Sequence, residues 1–437
     1  MAELESQGAG ARFGPVRLVQ GVSRLNALTY LYSAFAAIAL TSFVSVFMPY
    51  VLNVNLGLPT AEQGRVAGDL VFYGEIVLLT TSGLLGAWSD QYGRRLVFVG
   101  GLLLLAIGYV AIGHATDIWT LTGIRVFLSF GIAAIGVMVA TVQLDYPTER
   151  SRGQLVGLAG VAIGLGAIMI GVVFARLPYF FTDAGYTELM AGRYTVYSMA
   201  GFCVLTAIAV RYGLIVGKPP QTHGKTGTGR LLIQGMAAAL NNPRVALAYG
   251  CAFVGRADLV VVGTFYSLWV TQAGLAAGMG ADVAARTAGA LFALVMSAAL
   301  LWAPVMGWLN DRFDRTTAMA ASLALAALGY SAIGLIDDPL GGWIYPGSVL
   351  LGIGQISVTL ASQTLLGQES QADTRGAMVG TYSICGAAGI MFVTGVGGRI
   401  YDAIDPTAPF VLMGAANGLL ALAALRLMRG GRKSTTA

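Results

Sequence analysis

Long apolar stretches alternate along this chain with short polar breaks. Most of the stretches run for about 20 residues, the length that an α-helix needs to cross the hydrocarbon core of a bilayer. The pattern therefore predicts an all-α membrane protein with twelve transmembrane helices. The spans, numbered 1 to 12, are expected at about residues 27–52, 64–88, 96–114, 118–142, 154–175, 194–216, 245–270, 285–306, 318–335, 342–365, 377–401 and 410–426.

One long polar segment divides the predicted spans into two groups of six. The longest polar interruption lies in the middle of the chain and includes Pro219 and Pro220. Residues 231–240 within it have an amphipathic pattern, which predicts a short helix on the membrane surface. Residues 1–24 are polar and contain several glycines, and we expect them to be disordered. The predicted segments are a tail at 1–26, a six-helix bundle at 27–216, a linker at 217–244, a second six-helix bundle at 245–429 and a tail at 430–437.

A charged turn occurs twice in the chain. The first copy runs from Gly86 to Arg95 between spans 2 and 3, and the second begins at Gly307, 221 residues after Gly86. These landmarks predict two pseudo-symmetric six-helix repeats, a plan in which transporters place their site near the midplane. Other pairs at offsets of 221 to 223 residues are Arg65 with Arg286, Gly131 with Gly354, and Gly166 with Gly389.

Composition supports a membrane protein over a soluble one. Only 11% of the residues are charged and 56% are hydrophobic, whereas a soluble domain carries roughly a quarter charged residues. The net charge of +5 is better explained by loop orientation than by nucleic acid binding. Most Lys and Arg residues fall in the even-numbered loops, the middle loop and the tails. By the positive-inside rule, we expect both termini in the cytoplasm and the protein in the plasma (inner) membrane.

The sequence lacks the patterns that mark an ATP-driven pump or a membrane-embedded enzyme. No nucleotide-binding loop, metal-ligand cluster or nucleophile–base set is apparent. The three cysteines lie in apolar runs without metal-ligand spacing. We therefore expect no enzymatic activity, no cofactor, no metal and no nucleic acid partner. The expected partners are a small-molecule substrate, a coupling ion and the lipid bilayer, and the expected working unit is a monomer.

The charged turn resembles the G-x-L-x-D-x-x-G-R-[RK] loop between helices 2 and 3 of the major facilitator superfamily. The first copy matches this motif at Gly86, Asp90, Gly93, Arg94 and Arg95. The second copy has Asp314 in place of the second glycine. The resemblance implies a twelve-helix secondary transporter that works by alternating access, with this motif joining the two halves on the cytoplasmic side. It assigns to this cytoplasmic gate the residues Asp90, Arg94, Glu149, Arg150, Asp311, Arg315 and Arg375.

Five charged residues lie at membrane depth, away from the ends of the predicted spans, where a charge costs at least about 2.5–3.5 kcal/mol on insertion scales. They are Asp69, Glu75, Arg125, Arg256 and Asp258. Their depths, taken from the helical rise, favour two ion pairs, Asp258 with Arg125 and Glu75 with Arg256. One interpretation is that such pairs hold the bundle together. The other is that Arg256 and Arg125 bind the substrate, while Asp258, Glu75 and Asp69 carry coupling protons.

The superfamily resemblance extends to span 4. The stretch Arg125–Gly131 is similar to the helix-4 motif R-x-x-x-G-x-G of proton antiporters, with Ser129 at the first glycine. In the superfamily, helices 1, 4, 7 and 10 line the central cavity, and Arg125 and Arg256 lie on two of them. Five further residues are candidates for substrate contact, although side chains of these types more often pack in the core or against lipid. These candidates for substrate contact are Tyr32, Phe35, Tyr266, Trp269 and Gln355.

The predicted function is secondary active transport of a small organic solute, coupled to protons. A midplane Arg256 favours import or exchange of an organic anion. The alternative is proton-coupled export of amphipathic compounds, which the Arg125 motif and the aromatic residues favour, although span 5 lacks the proline of the antiporter signature. A third interpretation, from another class, is a protein of this fold that flips lipids or senses a signal without transporting a solute.

The predicted gate is tested by Asp90→Asn. Removing the carboxylate should weaken the contact at the end of span 2 and shift the conformational balance towards the inward-open state. Distances between spin labels placed across the cytoplasmic gate should then lengthen relative to wild type. An unchanged distance distribution would count against a latch at Asp90.

Overall fold

A computed structural model describes residues 9–216, 228–370 and 375–434. Apart from one hairpin, the regular structure of these residues is helical. The hairpin strands are β1 (Ala9–Phe13) and β2 (Val16–Val19). The α-helices are Arg24–Tyr50, Thr60–Tyr92, Arg94–Ile112, Ile118–Asp145, Arg152–Val172, Leu177–Asp183, Glu188–Gly213, Thr228–Asn241, Pro243–Val261, Ser267–Ala276, Ala281–Arg312, Arg315–Gly334, Ile344–Glu369, Arg375–Ala403 and Ala408–Ser434.

Twelve helical segments are long and apolar enough to cross a membrane, as the hydrophobic pattern predicted. They keep the numbers of the predicted spans. Span 1 covers Arg24–Asn55 and span 7 covers Pro243–Ala276, because each continues through a π-helical turn, at Val51–Asn55 and Val262–Tyr266. Span 5 covers Glu149–Asp183.

The chain divides into two compact units. Among the described residues, the first unit holds 9–57 and 73–216, and the second holds 58–72, 228–370 and 375–434. The division differs from the predicted bundles because the first part of span 2 groups with the second unit. There Gly68 meets the carbonyl of Thr394 in span 11, and Gly398 meets the carbonyl of Gly64. Glycines at these positions allow two backbones to approach where any side chain would separate them.

Glycine contacts join the first and fifth helices of each repeat in the same way. A Cβ atom at Gly166 of span 5 would overlap the carbonyl oxygen of Phe35 in span 1. A Cβ atom at Gly389 of span 11 would likewise overlap the carbonyl oxygen of Phe253 in span 7. The pairing of Gly166 with Gly389 in the sequence therefore reflects one packing contact that is used twice.

Residues 9–24 are ordered, contrary to the expectation of disorder for residues 1–24, of which residues 1–8 lie outside the described part of the chain. Strands β1 and β2 pair antiparallel around Gly14, whose φ of 54° suits a residue without a side chain. The N–H of Val19 donates to the carbonyl of Tyr146 at 3.0 Å, and the N–H of Thr148 donates to the carbonyl of Arg17 at 2.9 Å. The loop between spans 4 and 5 thus pairs with β2, and this long-range pairing has no signature in the local composition.

The helix predicted at residues 231–240 is present as Thr228–Asn241. It packs on the second unit, where Gly235 contacts Thr381 of span 11 and its carbonyl accepts a hydrogen bond of 3.1 Å from the hydroxyl of Tyr249. The first part of the predicted linker, residues 217–227, lies outside the described residues.

Gly389→Val tests the glycine contact of span 11. The new side chain would meet backbone atoms of Phe253, which cannot move aside as a flexible side chain can. Overpacking of this kind costs about 1–3 kcal/mol, so the thermal unfolding midpoint of the purified protein should fall. Gly380→Val is the matched control on the same helix, because a Cβ atom there meets nothing within 4 Å. Equal midpoints for the two variants would contradict the contact.

Candidate functional site

An incompletely paired arginine lies inside the first unit. Arg125 of span 4 is 6% exposed, and its Nη2 donates to the hydroxyl of Ser45 in span 1 at 3.4 Å. Its Nε and Nη1 have no hydrogen-bond partner within the described part of the chain. The carboxylate of Glu75 in span 2 lies within electrostatic range of the guanidinium group. Because buried guanidinium N–H groups are costly to leave unsatisfied, this site has unused capacity for an anion.

Small residues shape the space around this arginine. A Cβ atom at Gly74, beside Glu75, would lie 2.8 Å from the hydroxyl of Ser129 and 3.8 Å from Nε of Arg125. Ser129 stands where the antiporter motif has a glycine, and its hydroxyl donates to the carbonyl of Arg125 at 2.9 Å. The hydroxyl of Ser129 is therefore satisfied along its own helix and does not pair with the guanidinium group.

Asp258 of span 7 is fully buried inside the second unit. Both carboxylate oxygens accept from Nδ2 of Asn417 in span 12 at 3.2 Å, and the hydroxyl of Tyr330 donates to the Asp258 carbonyl at 2.8 Å. In the first repeat, Tyr109 donates to the carbonyl of Leu40 in the same way. Asp258 thus stands where the first repeat has a leucine.

These contacts correct the ion pairs expected from depth. Asp258 is satisfied by Asn417 and not by an arginine, and Glu75 lies near Arg125. Sequence reasoning missed Asn417, although an amide inside the last apolar span was a usable signal. Depth alone failed because it does not say which way around the helix each side chain points.

Arg256 lies on the other side of span 7 from Asp258, as their spacing predicted. Arg256 is exposed, its aliphatic part crosses Gly386 of span 11, and its charge is within electrostatic reach of Tyr382. Among the residues that the structure describes, it has no ion pair and no hydrogen bond. It therefore presents an unneutralised positive charge inside a membrane span.

The remaining candidates for substrate contact are mostly engaged in packing. Tyr266 and Trp269 are buried and pack against Phe410, and the Tyr266 hydroxyl bonds to Ser348 at 2.5 Å. The hydroxyl of Tyr32 bonds to Thr206 at 3.1 Å, while the carbonyl of Phe35 faces Gly166. Buried Gln355 differs, because its Oε1 has no partner in the described ranges.

The first charged turn is built around Arg94. Gly93, with a φ of 95°, allows the sharp change of direction that starts the helix of span 3. Arg94 then pairs with Asp90 at 2.5 Å and with Asp145 at 3.0 Å, and also donates to the hydroxyl of Ser89. Asp145, at the end of span 4, is absent from the predicted gate residues, although a carboxylate beside a charged loop was visible in the sequence.

The second charged turn repeats this arrangement more weakly. Arg315 pairs with Asp311 at 3.7 Å and donates to the carbonyl of Asn310, the counterpart of Ser89. Asp314 replaces the glycine and caps the next helix, where its carboxylate accepts from the N–H groups of Thr316 and Thr317. The substitution thus exchanges a flexible turn for a helix cap.

The other predicted gate residues form local contacts or fall outside the description. Glu149 pairs with Arg152 at 2.8 Å within one helical turn. Arg150 takes part in a noncovalent interaction with another residue. The side chain of Arg375 lies outside the described residues.

Tyr146 lies in the loop between spans 4 and 5. Burial raises the pKa of Tyr146 to about 12, and its hydroxyl accepts from the N–H of Ile215 at 3.1 Å.

A polar cluster joins the start of span 2 to span 11 within the second unit. Asp69 pairs with Arg399 at 2.9 Å. The carboxylate of Asp402 accepts from the N–H groups of Gly64 and Arg65 at 2.9 and 2.7 Å. Asp69, a predicted proton carrier, is thus held in an inter-helix ion pair.

Asp402→Asn tests this cluster. Hydrogen bonds to a charged group contribute about 1.5–3 kcal/mol, so amide exchange at residues 64–65 should accelerate by about tenfold or more. Mass spectrometry of peptides covering residues 60–72 would detect the change. Asp405→Asn is the matched control because the Asp405 carboxylate, among the described residues, accepts only from the nearby Thr407. Equal protection in both variants would contradict the role of Asp402.

Comparison with known proteins identifies the family. The family model described as Major Facilitator Superfamily matches residues 30–284 and 257–436. The chain is 29% identical to the magnetosome protein MamH of Paramagnetospirillum magneticum, over 93% of each chain. It is 27% identical to the magnetosome protein MamZ of the same organism, over 93% of this chain but 63% of MamZ.

Further similarities agree with this assignment. The chain is 28% identical to the class G tetracycline resistance protein of Vibrio anguillarum, over 77% of this chain and 81% of that protein. The solved structure of the nucleoside transporter NupG superposes with a TM-score of 0.73 at 15% identity, over 93% of this chain and 99% of NupG. With its twelve spans and repeated charged turn, this chain is an integral multi-pass membrane protein that belongs to the Major Facilitator Superfamily of transporters.

Proposed function

We propose that this protein is a secondary active transporter that moves a small organic anion across the membrane, coupled to protons. The observation that carries the proposal is the buried guanidinium group of Arg125, with two nitrogens unpaired beside Glu75. A buried cation in this state is stabilised by an anionic ligand that accepts its free N–H groups. The planar group is suited to a carboxylate or a phosphate, which accepts two parallel hydrogen bonds.

The second unpaired cation, Arg256, supports the same substrate class. Charged groups inside membrane spans usually face a partner, water or a substrate path. The exposed Arg256 has no neutralising carboxylate among the described residues. An importer or exchanger of anions uses such positive charge, whereas an exporter of cationic drugs would be opposed by it.

Glu75 is the proposed proton-coupling residue. When ionised, its carboxylate neutralises part of the Arg125 charge and competes with an anionic substrate. Protonation of Glu75 removes this competition, so proton binding and anion binding favour one another. Asp69 and Asp258 are better explained as structural groups, because Arg399 and Asn417 already satisfy them.

Alternating access gives the charged turns a role in gating. The ion pairs of Arg94 with Asp90 and Asp145 hold the ends of spans 2, 3 and 4 together, and we propose that this group forms the main part of the cytoplasmic gate. The proposed location is the inner membrane, with both termini cytoplasmic and a monomer as the working unit. The names of MamH and MamZ make the magnetosome a second candidate location.

Export of amphipathic compounds is the second candidate function. The similarity to a tetracycline resistance protein over 77% of this chain favours it. Tetracycline and ethidium therefore belong in the same ligand screen as lactate, succinate and citrate. Thermal stabilisation by none of these compounds would favour the third interpretation, a lipid-flipping or sensing protein.

The test uses the purified full chain in proteoliposomes with an imposed inward proton gradient. A stabilising anion from the screen should accumulate against its gradient in wild type. Glu75→Gln should abolish this accumulation but retain exchange of external for internal anion, because the coupling proton is lost and the anion site is kept. Arg125→Gln should abolish both activities.

Asp258→Asn separates the two candidate proton carriers. The amide is nearly isosteric with the carboxylate and can still bond to Asn417, so accumulation should persist if Asp258 is structural. Loss of accumulation in Asp258→Asn, with accumulation kept in Glu75→Gln, would move the coupling role to Asp258. Transport of ethidium with no transport of any tested anion would overturn the substrate assignment.

A further inference from the structure

An apolar cavity lies between spans 8, 9 and 10 of the second unit. Its volume is about 200 Å³, below the roughly 300–1,000 Å³ of typical small-molecule sites. Along the chain it extends from Trp302 of span 8 to Phe313, which follows the last residue of that span, a length of about 16 Å at the helical rise. A long and narrow space of this size suits a segment of flexible chain better than a compact solute.

Three of the four polar side chains in the cavity wall, those of Trp302, Ser322 and Ser357, have hydrogen-bond partners. The indole N–H of Trp302 donates to the hydroxyl of Ser357 at 3.0 Å, and that hydroxyl donates to its own helix at the Ile353 carbonyl. The hydroxyl of Ser322 donates to the Ala318 carbonyl at 2.8 Å. Apart from these three side chains and Thr317 the wall is apolar, which favours an apolar occupant.

The cavity is continuous with apolar surface that a bilayer would cover. Ala321 lines it and is exposed, and Phe313 lines it with 52% exposure. On the same two helices, Leu301 and Leu328 are exposed within membrane spans, as expected of lipid-facing positions. An occupant can therefore enter from the hydrocarbon region.

A cation precedes the lining residue Phe313 in the chain, although it does not itself line the cavity. Arg312 lies between the lining residues Leu309 and Phe313, and its guanidinium carbon is 5.3 Å from the ring centroid of Trp308. Within the described chain Arg312 has no ion pair. Its acidic neighbour Asp311 forms an ion pair with Arg315 instead. The charge of Arg312 is thus available to an anionic group at the membrane interface.

We propose that this cavity binds one acyl chain of an anionic phospholipid, with the lipid phosphate paired to Arg312. The apolar wall accommodates the chain, and the arginine selects the headgroup by charge. The site lies within one unit and is separate from Arg125 and Glu75. It is a lipid-binding site and not part of the proposed substrate path.

The test measures tryptophan quenching by lipids with brominated acyl chains. Purified full-length protein in detergent is titrated with brominated phosphatidylglycerol or with phosphatidylcholine of the same chains. The difference between wild type and Trp302→Phe isolates the Trp302 signal. Phosphatidylglycerol should quench it at a lower mole fraction than phosphatidylcholine, and Arg312→Gln should weaken phosphatidylglycerol quenching by about two- to fivefold, the range of an exposed ion pair.

Blocking the cavity should remove the quenching. Ala321→Phe places a ring at the entrance, so Trp302 should no longer be quenched at low mole fraction of either lipid. Ala324→Phe is the matched control, because Ala324 is exposed on the same helix and does not line the cavity. Quenching that survives in Ala321→Phe would show that no acyl chain enters. Equal quenching by both lipids in wild type would overturn headgroup selection, and Arg312→Gln tests that selection even if Ala321→Phe does not fold.

Discussion

The bilayer cannot hydrogen-bond the protein, and this constraint determines most of what is seen inside the spans. Each polar group at membrane depth must find a partner within the helices or pay for its isolation. Tyr109 and Tyr330 meet the constraint with backbone carbonyls, and Asp258 meets it with Asn417. Arg125 does not meet it fully, since two of its nitrogens are unpaired at 6% exposure. Other buried polar atoms, such as Oε1 of Gln355, are also unpaired, but Arg125 carries a charge, and an unpaired buried charge costs more than an unpaired neutral group.

The internal repeat shows which features are structural and which are specialised. Glycine contacts between the first and fifth helices occur in both repeats, at Gly166 and Gly389, so we attribute them to packing. Differences between the repeats are more informative about function. Asp258 replaces Leu40, and the carboxylate then requires Asn417 as a partner.

Charge in this protein is divided between the ends of the spans and their interiors. At the ends, Arg94 and Arg315 pair with the exposed carboxylates of Asp90 and Asp311, and ion pairs with an exposed partner contribute little stability. Such contacts can break and form at small cost, as a gate requires. Inside the spans the same pairing is much stronger because the dielectric constant is low. Glu75 and Arg125 are both buried, and the carboxylate lies within electrostatic range of the guanidinium group.

The sequence by itself determined the number and order of the spans, the internal repeat and the positions of the charged turns. These features follow from the length of apolar sequence that a bilayer requires and from short motifs. Both can be recognised in the linear sequence without knowledge of the packing. Only the tertiary structure decided the partners. Asn417 for Asp258, Asp145 for Arg94 and the loop at Tyr146 for strand β2 all lie far away in the chain. The direction of a side chain around its helix, and the neighbour it meets there, depend on how the helices pack, and spacing along the chain does not specify that packing.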